Sequence, residues 1–378
     1  ATLRRDGASV LPEGNQWGNF PSLSAGWNIS EEGFWNIDAI DMLKLRASWG
    51  KNGSILNVIP FSDREFWVST GIMYPAEDES LSQGVRIEKP INPDLGWEKS
   101  EQTNIGLDFY ALRSRLSFSF DYYKKVTEGL LTLDSPVLST GYYGVPSING
   151  GNVENSGLEF ALGYSDKTAG GLKYSVNVNL STLKNEVTDL VNDTPIEGAA
   201  LRGYNLTWFE EGKPLWYFRG YKTEGINPAN GEIIVADVSG DGEITAADIT
   251  EIGDPHPDLL YGASLSLEYK NFDFNLFMQG IQGNDVFMGW YRSDRPLSNK
   301  PRYFYTDRWT TAGQGASMPK PDNESDYLYR SDLMIGDGSY LRIKQIQLGY
   351  SLPRNVVNVV GLERTRIYVS LDDYFTFT

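Results

Sequence analysis

The chain has 378 residues, a formal net charge of −17 and 40% hydrophobic residues. That acidity argues against nucleic acid as the main partner, and the hydrophobic share argues against a disordered acidic tail. With no cysteine and one histidine, disulfides, thiolate zinc centres, cysteine nucleophiles and histidine metal clusters are excluded.

No apolar run reaches the roughly 18 residues that a spanning helix needs. The first residues, Ala1-Thr2-Leu3-Arg4-Arg5, lack the charged-then-apolar layout of a secretory signal, so none is expected here. The 39 Gly, 22 Tyr, 17 Phe and 10 Trp suit many strands, many turns and aromatic belts.

Taken in chain order, the dominant pattern is period-two alternation, the mark of a strand with one apolar face. Leu23, Ala25, Trp27 and Ile29 alternate with Ser24, Gly26 and Asn28. Leu43, Leu45, Ala47 and Trp49 alternate with Lys44, Arg46 and Ser48. In 103–109, Thr103, Ile105, Leu107 and Phe109 oppose Asn104, Gly106 and Asp108. The pattern continues through 116–122, 158–164, 172–180 and 261–269. After a Lys270-Asn271 turn, Phe272, Phe274, Leu276 and Met278 follow. Near the end Leu341 and Ile343 hold one phase and Ile346, Leu348 and Tyr350 the other, which predicts a bulge between them.

Several apolar rows begin or end in Tyr, Phe or Trp, where the girdles of an outer-membrane barrel sit. A soluble sandwich with one wet face gives the same alternation. Strand length favours the barrel, because sandwich strands run nearer five or six residues. The connections also come in two sizes: short at 111–114, 167–171 and 270–271, long at 127–155, 182–257 and 280–338. That asymmetry matches a barrel with its long loops outside. The expected fold is all-β: an antiparallel transmembrane barrel wall carrying long extracellular loops.

The sharpest local motif spans 237–248. A hard Ca²⁺ ion takes six to eight oxygens, which a twelve-residue loop supplies from positions one, three, five, seven and twelve. Here these are Asp237, Ser239, Asp241, the Glu243 carbonyl and Asp248, with Gly242 at the sharp turn and Ile244 expected to anchor the loop by packing. An Asp in last place makes the loop dockerin-like, and structural Ca²⁺ is the expected cofactor. An acidic turn without an ion is the other reading.

Catalytic patterns are weak. His256 lies in the rigid turn Asp254-Pro255-His256-Pro257-Asp258, and Asp372-Asp373 and Glu210-Glu211 have no specific spacing, so a glycoside hydrolase finds no acid pair. Gly150-Gly151 and Gly170-Gly171 lack the helix and lysine of a phosphate cradle. Trp208, Trp216, Trp290 and Trp309 fall in loop regions, where they either stack on sugars or pack the loops together.

At this point the chain resembles the SusC/RagA family of TonB-linked outer-membrane transporters of Bacteroidota. The matching stretches include Leu3-Arg4-Arg5-Asp6-Gly7, residues 17–27, Leu43-Lys44-Leu45-Arg46-Ala47-Ser48-Trp49-Gly50 and residues 95–108. They continue through residues 121–127, 151–159, 338–344, 346–353 and 366–370. The acidic loop followed by 252–258 also sits where members carry a similar one. The chain departs at its end, where Asp373-Tyr374-Phe375-Thr376-Phe377-Thr378 replaces the usual Asn-Leu-Phe-Thr-Phe-Thr-like run.

The resemblance implies that residues 1–378 form the C-terminal portion of a larger plugged barrel, with the calcium loop inside the outer loop 182–257. It implies import of a nutrient, an oligosaccharide or peptide, without chemistry on it. It implies a SusD-like lipoprotein lid, TonB of the TonB–ExbB–ExbD complex acting through a plug segment, and two transporter–lipoprotein pairs associating as a dimer. The reading from another class is a soluble, secreted, calcium-stabilised glycan-binding β-protein.

Overall fold

The computed structural model describes residues 1–58, 67–75, 80–87, 91–133, 147–191, 195–201, 203–289, 299, 301–320 and 326–378. Among them one sheet has 12 strands. Its main path follows the chain: β1 (Thr2–Gly7), β2 (Trp17–Asn28), β3 (Ile40–Ser54), β4 (Glu98–Ala111), β5 (Leu116–Glu128), β6 (Gly151–Lys167), β7 (Lys173–Thr182), β8 (Leu259–Tyr269), β9 (Phe272–Gln282), β10 (Tyr340–Ser351) and β11 (Arg366–Phe377). Each strand pairs antiparallel with the next. The twelfth strand, Lys184–Leu190, continues β7 after a break and pairs with the first part of β6. Gly157 lies at that break, where a Cβ would stand 2.0 Å from the Thr182 carbonyl oxygen.

Register makes the alternation continuous across the sheet. One row runs Trp27, Leu45, Leu107, Phe120, Phe160, Leu180 and Tyr261 from β2 to β8. The neighbouring row on the other face runs Asn28, Lys44, Asp108, Ser119, Ala161, Asn179 and Gly262. A slip of one residue in any strand would carry its apolar set to the polar face, so this register is strongly specified.

The anticipated bulge is present. Met278 pairs with Ile343 and Phe277 with Gln345, so Lys344 is the extra residue in β10. On the other side β11 bulges too: Ile343 pairs with Phe375 and Gln345 with Asp372. Asp373, in the left-handed region at φ 52°, meets Lys344 there at 2.6 Å.

Two of the three buried apolar clusters lie in the connections, around Leu11, Val58 and Leu95 and around Phe304, Leu328 and Met334; the third joins Val153 of β6 and Val187 and Leu190 of the twelfth strand to Phe209. The wall's apolar rows are uncovered, with Trp27 48% exposed, Ile105 54%, Leu162 48% and Val369 68%. A sandwich buries such a row under a second sheet. Among the described residues no second sheet covers this one.

Connections differ in length between the two ends. At one end the strands are joined by residues 29–39, 112–115, 168–172, 270–271 and 352–365, with Lys270 left-handed at φ 55°. The strands at the other end are joined by residues 8–16 and by four long connections, 55–97, 129–150, 183–258 and 283–339, which include residues outside the described ones. The stretch 182–257, expected as a long polar loop, carries a small sheet: Ile196–Glu197, Thr207–Phe209, Tyr217–Tyr221 and Ile249–Gly253. Strands of two to five residues leave no periodicity to read in the sequence.

Candidate functional site

Three features can carry function: the polar face of the wall, the acidic loop, and the cavity under the long loops. On the polar face Arg46 grips Asp108 with two bonds, Nε to Oδ2 at 2.7 Å and Nη2 to Oδ1 at 2.9 Å. The same Nη2 reaches Asp121 Oδ2 at 2.9 Å. Gly106 leaves room for this triad, since a Cβ there would stand 2.3 Å from Asp121 Oδ1. Farther round the wall, Arg366 donates to Asp273 from Nε at 2.9 Å and to Gln347 from Nη2 at 2.8 Å. These pairs are half-buried on a face whose rows also carry Ser, Asn, Gln and Gly beside further charges such as Lys44 and Glu159, a polar face suited to contact with water.

The acidic loop is folded, and each carboxylate turns onto backbone amides. Asp237 accepts from Gly240 N at 2.7 Å, Gly242 N at 2.8 Å and the Ser239 hydroxyl at 3.2 Å. Asp241 accepts from Glu243 N at 2.8 Å. Asp248 accepts from Ser239 N at 3.0 Å and Thr245 N at 2.8 Å. Gly242 is left-handed at φ 86°, as its place in the loop requires. Ile244, expected to anchor the loop, stays 36% exposed; the anchor is Asp248, fully buried as the last residue of the short 3₁₀ turn Ala246–Asp248 that Thr245 caps. The Thr245 and Ser239 amides hold the Asp248 carboxyl below the usual carboxylate range. Among the described residues no three His, Cys, Asp or Glu side chains gather as metal ligands. The oxygen-only donor set fits a hard cation by chemistry, while amides already hydrogen-bond its acids.

The small loop sheet positions the third feature. Phe209 packs on Trp216, ring centroids 5.6 Å apart, over Val153, Val187 and Leu190. Tyr217, buried, donates its hydroxyl to Glu210, and burial first and that carboxylate second push the phenol above its usual range. Gly220 has no Cβ to meet the Arg330 carbonyl, which it would approach at 2.3 Å. That lets Tyr221 N donate to Arg330 O and pair parallel with Ser331. The docked segment closes a cavity of about 410 Å³ lined by Tyr204, Trp208, Arg219, Phe287, Tyr329 and Arg330, among others.

Of the loop tryptophans, Trp208 lines this cavity beneath the Arg219 guanidinium, 4.6 Å from its ring. Trp216 packs a loop core, and Trp309 covers Gly231 and donates to the Pro228 carbonyl at 2.9 Å. Trp290 lies outside the described residues. His256 is half-buried in its turn and bonds Asp254 at 2.9 Å. The cavity carried no sequence signal, because its walls come from segments more than a hundred residues apart.

The family model for TonB dependent receptor-like β-barrels matches residues 1–248. The chain is 31% identical over its full length to TonB-dependent receptor P3 of Formosa agariphila, covering 39% of that protein. It is 28% identical over 93% of its length to TonB-dependent receptor SusC of Bacteroides thetaiotaomicron, covering 36% of it. The structure of the RagAB peptide transporter superposes with a TM-score of 0.83 at 22% identity, over 100% of this chain and 41% of that one. The chain therefore spans well under half the length of the relatives it matches.

Proposed function

The chain belongs to the TonB-dependent receptor-like β-barrel family, and from that membership we propose that it serves in TonB-driven import of a nutrient. Its place is the outer membrane. The single observation that carries the reading is the uncovered apolar face of the sheet. Such a face is stable where lipid covers it.

In this reading the polar face, with Arg46, Asp108, Asp121, Asp273 and Arg366, lines the lumen. The long connections face outside and meet a SusD-like lipoprotein, as the likeness to SusC suggests. Two transporter–lipoprotein pairs associate as a dimer. TonB of the TonB–ExbB–ExbD complex supplies the energy through a plug segment of the whole protein. The nutrient is an oligosaccharide or a peptide; the likeness to the RagAB peptide transporter supports the second of these.

Asp237, Ser239, Asp241, the Glu243 carbonyl and Asp248 would hold Ca²⁺, which would stiffen the outer loop 182–257. The oxygen-only donor set and the left-handed Gly242 support this.

Affinity purification of the whole protein from outer membranes in mild detergent tests the proposal. Co-purification of a surface lipoprotein, over an interface above roughly 1,000 Å², is the expected result. Release into buffer without detergent, as a soluble glycan-binding protein would behave, contradicts it.

A further inference from the structure

We propose that the cavity under the small loop sheet binds an acidic saccharide unit, one bearing a carboxylate or sulfate, with Arg330 reading the acid. The inference rests on the importer reading and narrows its substrate class. Its volume of about 410 Å³ lies within the range of small-ligand sites.

Two arginines line this one space, Arg219 and Arg330, and the Arg330 guanidinium lies near the ring of Tyr204, itself a lining residue. In a chain with net charge −17 a cation finds a carboxylate easily, and Arg219 has Glu210 at 3.7 Å. Arg330 is half-buried and has no carboxylate partner among the described residues. Its guanidinium lies instead against the rings of Tyr204 at 5.8 Å and Tyr221 at 5.4 Å. Glu197 also lines the cavity, on the strand opposite Trp208.

A planar fork held against rings is suited to a bidentate carboxylate or sulfate and poorly suited to a neutral hydroxyl. Much of the remaining wall is apolar, with aromatic Trp208, Phe287 and Tyr329 and aliphatic Leu206, Ile252 and Ile335. A pyranose unit presents an apolar C–H face and an acid group within one compact body. A peptide strand would instead need an open backbone edge. Thr207–Phe209, the strand that carries Trp208, is paired on both sides, with Ile196–Glu197 and with Tyr217–Tyr221, and offers no such edge.

The test is calorimetric titration of the whole protein, extracted from outer membranes in detergent. The probes are trigalacturonate, galactose 6-sulfate, the trimethyl ester of trigalacturonate, and tri-aspartate peptide. At least one acidic sugar should bind tenfold or more tighter than the neutral ester. Arg330→Gln should erase that preference, bringing acid and ester to equal affinity, and Arg330→Lys, a point charge without the fork, should restore part of it. Equal affinity for acid and ester, no binding of either acidic sugar, or an unaffected Arg330→Gln variant would overturn the proposal. So would tighter Arg330-dependent binding of tri-aspartate than of either sugar. Protein released without detergent would count against the importer reading, whereas detergent-extracted protein indifferent to ligand charge counts against this site alone.

Discussion

Arg46 on β3 holds both carboxylate oxygens of Asp108 on β4, while the residues next to them, Leu45 and Leu107, pair across the same two strands on the opposite face. One strand step therefore separates a bidentate ion pair from an apolar row. The two faces should respond to substitution in opposite ways. An arginine on the lipid face near the midplane costs about 2–4 kcal/mol. Leu107→Arg should thus cut the yield of folded barrel, seen as the heat-modifiable band on a gel. Asp108→Asn leaves Arg46 its bond to Asp121, and a half-exposed pair contributes about 1 kcal/mol or less. Its yield should stay near that of the parent protein.

The opposed bulges at Lys344 and Asp373 give a second prediction. Lys344 is the residue that lets β10 change phase and keep both halves of its apolar set on one side. Deleting it should force the residues beyond it onto the wrong face and abolish assembly. Lys344→Gln keeps the residue count and loses only a half-exposed ion pair, so its cost should stay within about 1 kcal/mol. Folded yield of the two variants, compared side by side, checks this.

How far the sequence could be read differs between these parts. The alternation around Leu107 and Asp108 and the phase change after Ile343 follow directly from period two, because register repeats them on every neighbour. The loop motif at 237–248 was legible through Gly242, but its internal geometry was not: amides of Ser239, Gly240, Glu243 and Thr245 compete for the same carboxylates. The small loop sheet and its cavity were invisible. Their contacts, such as Tyr221 with Ser331, join short segments that carry no local pattern.

Gly220 is the hinge of that hidden arrangement. A methyl at this position would meet backbone, the Arg330 carbonyl at 2.3 Å, and backbone cannot swing aside as a side chain can. Overpacking of this kind costs about 1–3 kcal/mol. Gly220→Ala should open the Tyr221–Ser331 pairing and expose residues around 326–334 to limited proteolysis, while barrel yield stays unchanged. Unaltered cleavage of this segment would contradict the assigned contact.

Asp248 makes the acidic loop pH-sensitive. Its folded carboxyl is held below the ordinary carboxylate value by amide donors, so its stabilisation is fully present above that ordinary value, about 4. It is lost as pH falls through the lower, folded value. Protection of loop 237–248 from an acid-active protease should therefore hold at mildly acidic pH and fail only at still lower pH. Asp248→Asn should weaken protection at neutral pH and flatten the profile.

Calcium should add to that protection if the loop holds the ion. Chelation should speed loop cleavage in the parent protein and change nothing in Asp241→Ala, with folded barrel yield equal in both. A cleavage rate indifferent to calcium in the parent protein would remove the ion from the account.

The most direct test of the central claim, that one face of this sheet meets lipid, is single-cysteine labelling, with any cysteine of the whole protein outside this cysteine-free chain first replaced by serine. Single cysteines at Ile105, Gly106, Leu107, Asp108 and Phe109, placed one at a time in the whole protein in outer membranes, report the environment of each face. The account predicts alternation: a lipid-soluble maleimide labels positions 105, 107 and 109, and a water-soluble one reaches 106 and 108 when the lumen is open to it. Uniform labelling of all five positions by the water-soluble reagent would contradict it.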